Sequence, residues 1–187
     1  MSTSSVILVV VIALVVVGVV VGILMFRSRK RTESLQSHYG KEYDRTVEAQ
    51  GDQGAAERDL LDRQAQRSSF EVRELDPTRR EEFAHSWERT QGHFVDDPAG
   101  AVAAAYGLVQ TVMSERGYPT DEFERQADLV SVDHPEVVGE YREAVRISDA
   151  GGRGEASTED LREAMVHYRS LFARLLDTHD AEGTRAP

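Results

Sequence analysis

The sequence predicts an all-α protein: a single N-terminal transmembrane helix, a polar helical stalk, and a compact bundle of about four helices. Three observations lead there. Residues 6–26 are 19 apolar residues and two glycines without one charge. Residues 32–75 are polar and rich in Arg, Glu, Asp and Gln. From residue 76 onward apolar side chains recur at spacings of three and four, punctuated by capping acids, prolines and glycines.

The N-terminus, residues 1–5, carries no Lys or Arg. The next 21 residues rise about 31 Å as a helix, which matches the roughly 30 Å hydrocarbon layer of a bilayer. Ten of them are valine, a β-branched run that leans toward strand in water. In lipid only a helix satisfies its own backbone, and the helix wins. A cleaved signal peptide would need a basic n-region and a small-residue cleavage site; Ile23-Leu24-Met25-Phe26 offers no such site. Residues 27–31 hold Arg27, Arg29, Lys30 and Arg31, and the side richer in Lys and Arg stays cytoplasmic. The expected topology is therefore N-out, C-in, with the lipid bilayer as a partner of the flank and the soluble domain in the cytoplasm. Gly18 and Gly22 form a GxxxG pair, a candidate contact for a homodimer of such helices.

Residues 32–75 read as a juxtamembrane stalk of short helices, cut by Gly40, Gly51 and Gly54 and leaning on the domain or on itself. Leu35, Tyr39, Tyr43 and Val47 fall on one face, and Leu60 and Leu61 mark a second piece. Residues 70–75 alternate apolar and charged side chains, one short extended stretch that is too little for a sheet.

Residues 76–177 form the expected bundle. Asp76-Pro77 and Asp97-Pro98 each place a capping acid before a proline at the first helical position, opening helices near 77–94 and 98–116. Gly117 closes the second. Thr120-Asp121 begins a short helix through about Asp128, and Pro135 begins another that ends before Gly151. Ser157 to Asp160 has the form of a capping box. Leu161, Met165, Tyr168, Phe172 and Leu175 then form a seam of spacing four and three. Residues 178–187 are expected to be a disordered tail.

Charge and motifs narrow the function classes. After residue 31 there are 18 basic and 33 acidic side chains, a formal charge of −15, which repels phosphate backbones and closes off nucleic acid as a partner. Cysteine is absent, which excludes disulfides, thiolate metal sites and thiol catalysis. No P-loop, Gly-x-Ser-x-Gly elbow or His-Glu-x-x-His occurs. Glu82 and His85 make one Glu-x-x-His without the second copy a di-iron bundle needs. Residues 149–160 echo a calcium loop, but Gly151 and Arg153 stand where oxygen ligands belong. No metal and no cofactor are expected. The densest polar constellation is Asp128, Ser131, Asp133 and His134, with Asp96 and Asp97 as possible neighbours. Asp96, Asp97, Asp128, Asp133 and His134 are the candidate ligand-binding set. The favoured reading of the segment is that Ser131 or Asp133 caps the helix and His134 bonds locally, because adjacent side chains diverge and cannot form a relay.

Tyr39-Gly40, Glu42-Tyr43-Asp44-Arg45, Phe94-Val95-Asp96-Asp97-Pro98, Arg116-Gly117-Tyr118-Pro119, Val132-Asp133-His134-Pro135 and His167-Tyr168-Arg169, behind one N-terminal span, resemble an uncharacterised family of small bacterial, largely actinobacterial, membrane-anchored proteins. Its members carry labels such as hypothetical, membrane or secreted protein. Lys41 stands where many relatives have Pro, and the stretch before Ser131 carries an extra residue. The resemblance implies no activity, and the label "secreted" opposes the topology argued above.

The expected function is a membrane-anchored, non-enzymatic protein-interaction module, an adaptor or scaffold with a protein partner. Two other classes stay open. One is a small-ligand-binding or hydrolytic domain using residues 128–134; the other is an outward-facing cell-envelope structural protein.

Overall fold

The computed structural model describes residues 3–177, without the side chains of residues 3–11, 13, 15 and 24. The expected tail lies outside the described residues. The chain divides into two units, residues 1–38 and residues 39–187.

The first unit is helix α1 (Thr3–Tyr39) as far as residue 38. Its described apolar side chains from Ile12 to Phe26 are 47% to 66% exposed. Arg27, Arg29, Lys30 and Arg31 are exposed as well, and Lys30 lies over the Phe26 ring at 5.0 Å. A Cβ at Gly18 or Gly22 would meet nothing within 4 Å. Among the described residues no helix is long and apolar enough to cross a membrane. The expected span at 6–26 lies partly outside the described side chains.

The second unit contains seven further helices among the described residues: α2 (Lys41–Gln50), α3 (Gln53–Arg67), α4 (Pro77–His93), α5 (Pro98–Arg116), α6 (Phe123–Asp133), α7 (Val138–Gly152) and α8 (Thr158–Leu176). Helix α8 packs on α7 and α5, α4 covers α5, and α6 lies on α7. The core of this bundle runs through Phe83, Trp87, Val109, Met113, Tyr141, Tyr168, Leu171 and Phe172. Trp87 stacks on Phe172 at 4.7 Å, and Tyr168 meets Tyr141 edge-on at 6.3 Å.

Local signals set most helix ends. Asp76 and Asp97 accept from the backbone N–H of Thr78 and Gly100, both at 2.9 Å. Ser157 and Asp160 close a reciprocal capping box. Gly117 ends α5 at φ 92°, a left-handed position where a Cβ would lie 2.7 Å from the Glu71 carbonyl oxygen. Arg116, just before it, is 2% exposed. Its guanidinium donates to the carbonyls of Leu175 at 3.0 Å and Arg73 at 3.3 Å, tying the end of α8 to residues 70–76. That segment is neither helix nor strand, and Arg73 N–H donates to Arg116 O at 2.8 Å.

Four expectations are corrected. The bundle beyond residue 76 has five helices, because the short piece expected at 120–128 is α6, which continues to Asp133. Pro135 does not open α7; a turn intervenes and the helix begins at Val138, with no side-chain cap. The reason is local: the Ser131 hydroxyl donates back to the Asp128 carbonyl at 2.6 Å, and the Asp133 carboxylate is held by Arg67 and Tyr118. Residues 41–67 lie against the domain and against each other. They fold as a helical hairpin within the compact unit, and α3 packs on α6. Gly40 and Gly51 do break helices, at φ 51° and 68°, but Gly54 sits inside α3, whose start is capped by Asp52. Finally, α7 extends through Gly152, so the twelve-residue loop that echoed a calcium site begins inside a helix.

Candidate functional site

The α2–α3 hairpin meets α6 and α7 through charge. Glu42, the second residue of α2, is 3% exposed and accepts from three guanidiniums. Arg45 binds it in a fork at 3.0 and 3.1 Å, Arg63 of α3 at 3.0 Å, and Arg142 of α7 at 2.8 Å. Arg63 also pairs with Asp59 at 2.6 Å and with Asp128 of α6 at 2.8 Å, and donates to the Ser131 hydroxyl at 3.3 Å. Arg142 reaches Asp128 at 3.1 Å. Three cations thus face three carboxylates, and the network is neutral. Burial pushes the Glu42 carboxyl up, but the hydrogen bond from Arg45 and the charge of Arg142 outweigh it and hold the group below its ordinary range. Asp128 goes the other way, because burial exceeds the pull of Arg63 and Arg142.

A second knot lies beside the first. Asp133 accepts from Arg67 Nε and from the Tyr118 hydroxyl, while the Arg67 guanidinium lies over the Phe70 ring at 5.2 Å. Burial, followed by the charge of Asp133, pushes the Tyr118 phenol far above its ordinary range. Deeper in the bundle, Gln110, Gln126 and Tyr141 satisfy one another at 2.7 to 2.9 Å, so the buried polar atoms there need no ligand.

The candidate residues therefore separate. Asp128 and Asp133 are held in the two ionic knots. His134 is 1% exposed at the end of α6, and Ser131 donates to a backbone carbonyl and not to it. Asp97 caps α5, and Asp96 is exposed in the preceding turn. Ser131 and Asp133 are engaged with other partners, and the His134 side chain is buried. Glu82 and His85 stand exposed on α4, each held by a local ion pair. Among the described residues no three His, Asp or Glu side chains are placed to hold a metal ion. A cleft of about 380 Å³ lies over Glu42, between Lys41 and Arg45 on one side and Glu136, Gly139 and Glu140 on the other.

Sequence reasoning missed Glu42, Arg63 and Arg142. The i,i+3 and i,i+4 pairs Glu42/Arg45 and Asp59/Arg63 were visible as local spacing. The pairs that matter join residues 65 and 100 positions apart, and no local pattern carries them. No family model, curated protein or solved structure matches the chain.

Proposed function

We propose that the protein is a single-pass, membrane-anchored, non-enzymatic interaction module, an adaptor or scaffold whose helical domain faces the cytoplasm. The observation that carries this reading is the exposed apolar surface of α1 directly before four basic side chains. Ten large apolar side chains on one helix, each about half exposed or more, are untenable in water and ordinary in lipid. Gly18 and Gly22, with open space at both positions, are where two such helices would approach. Glu42, Arg63, Asp128, Asp133 and Arg142 are engaged in pairs that hold helices together, which favours a binding scaffold over a hydrolase.

The test is fractionation of the full chain. It should stay in the membrane pellet through high salt and alkaline carbonate, whereas a basic flank acting alone would be stripped by salt. Release under carbonate overturns the anchor. Topology is read with an impermeant maleimide on intact cells, using Ser34→Cys and Ser170→Cys in a chain that has no other cysteine. Protection before permeabilisation and labelling after it are expected. Labelling of Ser34→Cys on intact cells would place the domain outside and favour the envelope reading.

A further inference from the structure

Beyond α1, two large apolar side chains stay exposed among the described residues: Val95 at 86% and Val166 at 49%. They belong to one neighbourhood. Val166 lines a groove between the end of α4 and the outer face of α8, together with Gln91, Phe94, Met165, Arg162 and Arg169. Val95 follows Phe94 in the turn after α4. The groove holds about 180 Å³, and a cavity of about 150 Å³ accommodates a benzene-sized group, so one Leu or Phe side chain fits.

Its polar chemistry has one sign. Arg162 and Arg169 are two turns apart on α8, about 10 Å along the axis. Arg162 is bound to Glu159 on the exposed surface, while Arg169 carries no ion pair to any described residue. One turn before Gln91 on α4, the Trp87 indole N–H is buried and has no acceptor, although the side chain is only 6% exposed. The exposed Val166 beside an unpaired Arg169 guanidinium asks for one complement: an apolar group flanked by carboxylate oxygen.

The geometry points to the α4–α8 groove as the docking site for a segment of another protein that inserts one large apolar side chain and sets one or two carboxylates on Arg169 and Arg162. This inference rests on the interaction-module reading and names the surface it uses. The partner's acidity is local, because a chain with a formal charge of −15 after residue 31 repels a long acidic run before contact. A second copy of this chain is a poor occupant: a two-fold pairing of α8 faces about Val166 sets Arg162 beside the other copy's Arg169, like charge on like.

Trp87 is the chain's only tryptophan, so it gives one indole N–H resonance and a built-in reporter. The full chain in detergent micelles would be titrated with three capped hexapeptides: two leucines flanked by glutamates, the same with lysines for glutamates, and the same with glycines for leucines. The glutamate-leucine peptide should move the indole resonance, and the other two should not. Arg169→Glu should weaken it by about tenfold and admit the lysine peptide; Val166→Glu should abolish the response. Both side chains are exposed, so an unchanged helical signal and melting temperature confirm that each variant folds. An unmoved indole at millimolar peptide overturns the inference, as does equal binding of the lysine peptide. An octanoate response that depends on Arg169, with no peptide response, also overturns it and assigns the groove to lipid. A chain that stays in carbonate-washed membranes with an empty groove loses this inference and keeps the anchored module; peptide binding by a chain that carbonate releases does the reverse.

Discussion

The α4–α8 bundle and the α2–α3 hairpin belong to one compact unit but are held by different forces. In the bundle, 23 buried residues from Leu75 to Leu175 form one continuous apolar cluster, and no side chain of α2 or α3 belongs to it. The hairpin buries Tyr43, Ala56 and Leu60, and adds ion pairs to α6 and α7 through Glu42, Arg63, Arg67 and Arg142. Apolar packing loses free energy gradually as atoms are removed, with a further term for the cavity. A buried ion network behaves asymmetrically: complete, it contributes modestly, and with one member missing it strands a charge. The bundle should therefore fail through truncation and the hairpin through loss of a single charge.

The largest effect is expected in the bundle. Tyr168→Ala opens a void beside Tyr141 and Tyr106 and should cost about 4 kcal/mol, read as a fall of roughly 10 °C in melting temperature. Next comes Glu42→Ala, which leaves Arg45, Arg63 and Arg142 facing only Asp59 and Asp128 and should cost about 3 kcal/mol. Amide exchange would separate the two: Tyr168→Ala loosens α5, α7 and α8, whereas Glu42→Ala loosens α2 and α3 and leaves α8 protected. Glu42→Leu combined with Arg142→Met should recover most of the loss, coming within about 1 kcal/mol of the parent. If the double variant is as unstable as Glu42→Ala, the hairpin is not held in the way described.

Acid probes the same contrast more gently. Glu42 is held below its ordinary value of 4.5, so its contribution is fully present above that value and is lost as the pH falls through its lower folded value. Asp128 is raised by burial; its ionisation opposes folding, and its protonation on the way down offsets part of the loss. Exchange in α2 and α3 should therefore stay slow from pH 7 to about 5 and accelerate below 4.5, ahead of α5 and α8. Simultaneous loss of all helices would refute a separable hairpin. The smallest expected effect is Asp97→Ala, which removes the α5 cap and should cost about 1 kcal/mol in chemical denaturation.

The same contrast explains what could be read from sequence. Asp76-Pro77, Asp97-Pro98, Gly117 and the Ser157–Asp160 box act within four residues of where they stand, and each sits at the helix end it predicts. The seam of Leu161, Met165, Tyr168, Phe172 and Leu175 is buried throughout. The two hairpin helices were legible from Tyr43 and Leu60, but the helices they dock on were not, because the ionic partners lie on distant helices. Pro135 misled because Asp133 turned to Arg67 and Tyr118 instead of capping the following helix. The α4–α8 groove could not be assembled in advance, since its residues come from two separate stretches and look individually like ordinary surface.

Arg116 has a consequence for engineering. Its buried guanidinium donates to the carbonyl of Leu175, one of the last-turn acceptors of α8 that would otherwise look to water or to later chain. The helix is thereby finished from inside the domain, by a side chain 59 positions earlier. A fluorescent or enzymatic reporter joined after Asp177 should leave the bundle's melting temperature unchanged, which makes that position a natural point of fusion for following the protein in living cells.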